Sequence, residues 1–144
     1  MVVYHSFDDV PQNQASVITI GTFDGLHKGH IALINLLKER AQALNAKTLL
    51  LTFHPHPQIV LQKPDRPPVE LLTTIRERIQ LLSQLGIDGT LVIPFTKEFA
   101  QIPAERFVRD YLSAKLNMRH MVIGYDHAFG NNREGTEDLL TELS

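Results

Sequence analysis

Apolar positions along this chain fall into short continuous blocks that alternate with stretches of helical period. The blocks at 17–20, 47–53, 89–93 and 121–124 are rich in Val, Ile and Leu, run four to seven residues, and stop at or near glycine or proline. That pattern predicts buried strands. After the first block, Ile31, Ile34, Leu37, Ala41 and Leu44 recur at helical spacing with Lys38, Glu39 and Arg40 opposite, and Asn45 suits the C-cap. Thr74-Ile-Arg-Glu77 predicts a capping box at the start of a second helix, with Leu71 and Leu72 placed to staple it. Its buried stripe reads Ile75, Ile79, Leu82 and Leu85, and Gly86 ends it. Pro103 fits the first turn of a third helix that runs to about Leu116 and buries Phe107, Tyr111 and Leu112. Thr136 caps a fourth, with Glu137 and Asp138 in its first turn. The short β-prone stretch at 2–4 reads as an edge strand or arm, and residues 58–70, rich in Pro and Lys/Arg, as a loop.

Strand and helix alternating in this way predict an α/β fold: a Rossmann-like, doubly wound parallel sheet. Ligands bind such sheets outside the carboxyl ends of the strands. Four unusual segments fall at those ends, at 21–30, 54–57, 94–96 and 125–130. Their convergence points to one site.

Composition narrows the chemistry without choosing it. With 144 residues, 43% of them hydrophobic and 21% charged, the chain is one domain's worth and can bury a core. A formal net charge of −2 gives no reason to expect a nucleic acid or an acidic membrane surface as partner. The absence of cysteine excludes disulfides, thiolate metal sites and cysteine nucleophiles. No signal-peptide pattern or membrane-length apolar run is present, so a cytoplasmic location is expected.

The richest segment is Gly21-Thr-Phe-Asp-Gly-Leu-His-Lys-Gly-His30, a glycine-rich turn between a strand and a helix. The first turn of a helix offers unpaired N–H groups and a partial positive charge to an anion. His27 and His30, three apart, belong on one face of that turn, and Gly29 between them leaves room for a phosphate. The turn lacks Gly-Lys-Ser/Thr and lacks the three-glycine dinucleotide fingerprint. His54 and His56 have a metal-like spacing, but Pro55 and Pro57 break the strand geometry that would align them.

The turn resembles the His-x-Gly-His signature of the nucleotidylyltransferase superfamily. Together with Thr52-Phe-His-Pro-His-Pro57, Leu72-Thr-Thr74 and Glu77, Phe95-Thr-Lys-Glu-Phe99, Phe107-Val-Arg-Asp-Tyr-Leu112 and Ile123-Gly-Tyr-Asp-His-Ala-Phe-Gly130, it resembles the N-terminal FMN adenylyltransferase module of bacterial bifunctional riboflavin kinase/FAD synthetases. The resemblance covers residues 1–144. It implies adenylyl transfer from ATP to FMN with Mg²⁺, giving FAD and pyrophosphate. It implies catalytic roles for His27, His30 and Asp126, and an ATP site at Gly21, Thr22, Phe23, Asp24, Gly25, Lys28 and Gly29. It also implies a flavin pocket at Phe53, Pro55, His56, Pro57, Leu61, Phe107 and Phe129. Asp24 either fixes the turn, assists Mg²⁺ or only caps it. Lys28 touches phosphate or is an ordinary exposed lysine. Asp126 contacts the reacting phosphates or the metal, the metal role being favoured because a bare carboxylate repels phosphate.

Two departures from the family stand out. Ala128 replaces a longer polar or basic residue of many relatives, and the chain stops at Ser144, before the Ser/Thr–Arg motif that completes the ATP site. A truncated domain without its riboflavin kinase partner is therefore expected, with adenylylation weak or lost. The alternatives are a superfamily transferase with a pantetheine-phosphate or glycerol-phosphate acceptor, and a non-catalytic nucleotide- or flavin-binding fragment.

Overall fold

The computed structural model describes residues 1–25, 28–61, 71 and 73–123. Five strands, β1 (Val2–Tyr4), β2 (Ser16–Ile20), β3 (Lys47–His54), β4 (Gly89–Pro94) and β5 (Met118–Met121), form one sheet in the order β1-β4-β3-β2-β5. Every pairing is parallel. Between them lie α1 (Lys28–Ala43), α2 (Pro57–Val60), α3 (Ile75–Ser83), α4 (Lys97–Ala100) and α5 (Ala104–Arg106), which runs on into a π-helical segment, Phe107–Ser113. The predicted α/β class and parallel sheet are what the chain adopts.

Alternation along each strand builds two apolar layers. Ile18, Ile20, Leu49, Leu51, Phe53, Leu91 and Ile93 pack with Phe107, Val108 and Leu112 of the π segment on one face. Leu50 packs with Ile34 of α1 and Leu82 of α3 on the other, where Val17 meets Leu37 and Ala41. Strands buried on both faces must be apolar almost throughout, which is why short continuous runs marked them.

Strand order also locates a crevice. From β2 the chain steps outward through β3 to β4, then returns to lay β5 on the opposite side of β2. The connections diverge between β2 and β5, and such a switch point leaves an opening at the carboxyl ends of the strands.

Several local expectations are corrected. The fourth predicted strand, placed at 121–124, is Met118–Met121, because Ser16, Val17 and Ile18 take Met118, His120 and Met121 as partners. The apolar run Met121-Val-Ile drew that reading, whereas β5 passes through the exposed Arg119 and His120, of which His120 pairs with Val17. Ile31 and Leu44 are 37% and 49% exposed, so the buried stripe of α1 is Ile34, Leu37 and Ala41. A sixteen-residue helix is about 24 Å long, and the five-residue β2 spans about 17 Å, so the helix ends overhang the strand. Tyr111 is only half-buried, and the third helix widens into π geometry instead of remaining α throughout. Part of the predicted loop at 58–70 is helical in α2. Asn45, at φ +51°, and Gly86, at φ +78°, end α1 and α3 as expected, and Thr74 with Glu77 closes the capping box. The helix expected after Thr136 lies outside the described residues.

Candidate functional site

Where β2 ends, Gly21 still donates its N–H to Leu51 O, 3.0 Å away. The chain then turns sharply, with Phe23 at φ +51° and Gly25 at φ +76°. A left-handed conformation costs an ordinary L-residue about 1–2 kcal/mol, and burial offsets it here. The Phe23 ring is 2% exposed and packs among Ile34, Leu50, Leu82 and Ile87. It also lies across Gly21, where a Cβ would sit 2.9 Å from Phe23 Cε2. Only glycine at 21 allows that closeness.

The ring's partly buried neighbour is His30. The two ring centroids are 5.0 Å apart at 55°. α1 opens at Lys28, so His30 stands in its first turn, partly buried, with Lys28 and Gly29 exposed beside it. Gly21, Thr22, Phe23, Asp24, Gly25, Lys28, Gly29 and His30 thus occupy one strand-to-helix turn at an anion-favouring helix end. His27 lies outside the described residues, as do Asp126, Ala128 and Phe129.

The candidate flavin residues line the neighbouring strand end. β3 runs into a cis His54–Pro55 bond, and His56 and Pro57 lead into α2. His54 and Pro55 are exposed, His56 is 9% exposed, and Leu61 is 48% exposed beyond α2. Phe53 and Phe107 are 8% and 3% exposed and belong to the apolar layer below. Phe53 meets Phe95 edge-on at 5.5 Å, and Phe99 links Phe95 to Phe107 at 5.8 and 5.6 Å. These aromatics support the strand end from within the core.

Asp24 was named as one way of fixing the turn, but the tie through Arg78 was missed by the sequence reading. Asp24 Oδ1 accepts from Thr73 N at 2.8 Å and from Thr73 Oγ1 at 2.9 Å, anchoring the first turn to the start of α3. Arg78, only 2% exposed, donates through Nη1 to Thr52 Oγ1 at 3.1 Å and to Phe53 O at 3.2 Å. Thr52 Oγ1 donates in turn to Thr22 O at 2.9 Å. The available signal was spacing: Arg78 falls between Ile75 and Leu82 on the inner face of α3, where a charge needs a buried partner.

These charges set one another. Burial lowers the pKa of Arg78 and Asp24 opposes the shift; the guanidinium stays cationic. Burial likewise pushes His56 below its ordinary 6.5, with Asp24 raising it and Arg78 lowering it further. The unfolded chain therefore takes up a proton near pH 6.5 that the folded chain resists. His56 contributes its stability in full above about pH 6.5, and that contribution is lost as the pH falls through the lower folded-state value. Thermal melts should show the wild type losing stability below pH 6.5 more steeply than His56→Gln; parallel curves would rule the effect out. Among the described residues, no group of three His, Asp or Glu side chains is arranged to hold a metal ion.

Comparison with known proteins places this geometry. Residues 9–144 match the FAD synthetase family. A bifunctional riboflavin kinase/FMN adenylyltransferase of Escherichia coli (strain K12) is 36% identical over 136 residues, 94% of this chain and 42% of the relative. One from Bacillus subtilis (strain 168) is 34% identical over 141 residues, 97% of this chain and 44% of the relative. A crystal structure described as a macrolide-efflux protein from Streptococcus pneumoniae superposes with a TM-score of 0.81 at 25% identity, over 99% of this chain and 46% of that one. No helix among the described residues is long and apolar enough to cross a membrane. This chain spans less than half the length of the curated relatives it matches. With the family matching along nearly its whole length, the chain belongs to the FAD synthetase family.

Proposed function

We propose that this chain transfers the adenylyl group of ATP to FMN, giving FAD and pyrophosphate. The observation that supports the reading best is His30 in the first turn of α1, beside the crevice between β2 and β5, with the β3 turn as its neighbour. An oxygen of the FMN phosphate forms a bond to the α-phosphorus of ATP. The bond from that phosphorus to the α–β bridging oxygen breaks, and pyrophosphate leaves from the opposite side. Such a transfer needs alignment and charge stabilisation more than a covalent nucleophile.

In this reading the N-terminus of α1 and His30 face the triphosphate, with His27 sharing the role, and stabilise charge that grows on the departing phosphates. Gly21, Thr22, Phe23, Asp24, Gly25, Lys28 and Gly29 form the ATP side. Pro55, His56, Pro57 and Leu61 form the flavin side with Phe129, while Phe53 and Phe107 back it from the core. Asp126 is assigned to the metal or the reacting phosphates, the metal role being favoured because a bare carboxylate repels phosphate. Magnesium is proposed with ATP. Asp24 is engaged with Thr73, so Asp126 is the carboxylate proposed to share the ion with the triphosphate. The names of the relatives support a riboflavin kinase domain as working partner, and the reaction is proposed to run in the cytoplasm.

Chromatography for FAD after incubation with FMN and ATP, with flavin fluorescence to follow FMN binding, tests the proposal. FAD formation is expected. A protein that neither forms FAD nor binds FMN sinks the reading.

A further inference from the structure

The tie between the two turns carries a second reading, which rests on the adenylyl-transfer proposal. We propose that Arg78, acting through Thr52, is a positioning residue: it holds the β2–α1 turn and the β3–α2 turn at a fixed separation, and through them the nucleotide against the flavin.

The hydrogen bonding runs in one direction. A threonine hydroxyl has one proton to give. Thr52 gives it to Thr22 O at 2.9 Å, so its lone pair is left to accept from Arg78 Nη1 at 3.1 Å. The same Nη1 also reaches Phe53 O, two residues before the cis proline. One guanidinium thus grips the last residues of β3 and, through a single hydroxyl, the first residue after Gly21. Asp24, bound to Thr73 just ahead of α3, ties the far side of the nucleotide turn to the region from which Arg78 projects.

Packing alone gives no reason for this arrangement. Burying an arginine is costly, and an apolar side chain of similar volume generally serves a core as well or better. Arg78 Nε is buried and has no hydrogen-bond partner among the described residues, so the group is not there to complete its own bonding. One guanidinium nitrogen that donates to a hydroxyl and a carbonyl at the end of β3, with the hydroxyl carrying the tie on to Thr22, has geometric value, because small misplacements of reacting groups are expensive in rate.

Thr52→Val and Thr52→Ser separate positioning from packing. Thr52 is fully buried. Valine keeps its volume and breaks the relay, whereas serine loses a methyl and keeps the relay. With both variants confirmed folded by circular dichroism, positioning predicts that Thr52→Val loses about tenfold in kcat/KM, largely in kcat, and that Thr52→Ser stays within about twofold. Arg78→Lys keeps the charge but loses the planar guanidinium that sets Nη1 against both acceptors. It should match Thr52→Val, and the double variant should be little worse than either; it also carries the test should Thr52→Val fail to fold. Valine and serine variants of equal activity, or fully additive losses in the double variant, overturn the inference. A wild type that makes no FAD would refute the adenylyl-transfer reading instead. The same variants are then compared by deuterium exchange at the amides of residues 21–25, where exchange in Thr52→Val no faster than in Thr52→Ser overturns the positioning role.

Discussion

His30→Ala should lower kcat for FAD formation by about 10²–10³-fold while FMN binding and the melting temperature change little. The magnitude is that of removing one preorganised donor from a site where charge develops in the transition state. The geometry argues for a specific donor: His30 sits in the first turn of a sixteen-residue helix, its ring braced against Phe23 at 5.0 Å. The helix terminus remains in the variant, so some stabilisation of the triphosphate persists and turnover should be crippled but not abolished. Because the residue is partly exposed and lies outside the three apolar clusters, its loss should cost the fold little. Steady-state kinetics with separate titrations of ATP and FMN will check this. A loss under tenfold in kcat, or a loss confined to KM for ATP, would remove His30 from the transition state and leave it a binding residue.

Phe23→Ala should be among the most damaging substitutions for stability, at about 3–5 kcal/mol. The ring is 2% exposed and fills the space between Ile34, Leu50, Leu82 and Ile87, so truncation opens a cavity lined by β3, α1 and α3. Alanine at φ +51° keeps the backbone strain while losing the burial that offsets it. Against a typical stability of about 5–15 kcal/mol, that is a large share. Urea unfolding of the variant measures it, and a loss below about 1 kcal/mol would show that the turn holds its shape without the ring. The activity of the folded fraction should also fall, since His30 loses its brace.

The layered parallel sheet was legible because strands covered on both faces must be apolar throughout, and Leu49, Leu50 and Leu51 leave no solvent face. The turn from β2 to α1 was legible because glycines stand between an apolar run and a stretch of helical period. Phe23 shows the limit. Nothing local marks a phenylalanine for positive φ, since the conformation is stabilised by Ile34 and Leu82, distant in sequence. Arg78 hid for a related reason: helical period reports which positions face inward, but it does not report that Thr52 and Phe53 O wait there as acceptors. The π segment likewise follows from how Phe107, Val108 and Leu112 fit under the sheet, which side-chain order alone does not express. The placement of β5 was lost to a stronger apolar run immediately after it.

The position of β1 has a kinetic consequence. Its partner is β4, so Val2 must find Gly89 across more than half of the described chain. Closing so long a loop costs entropy before any pairing repays it. β1 has three residues, with Val2 53% exposed, so it returns little apolar burial. This edge is therefore expected to zip up last and to fray first. The amides of Val3 and Tyr4 should exchange with deuterium through local opening, well ahead of those in β3, which is flanked on both sides. Equal protection at both places would mean that β1 is part of the cooperative centre of the sheet.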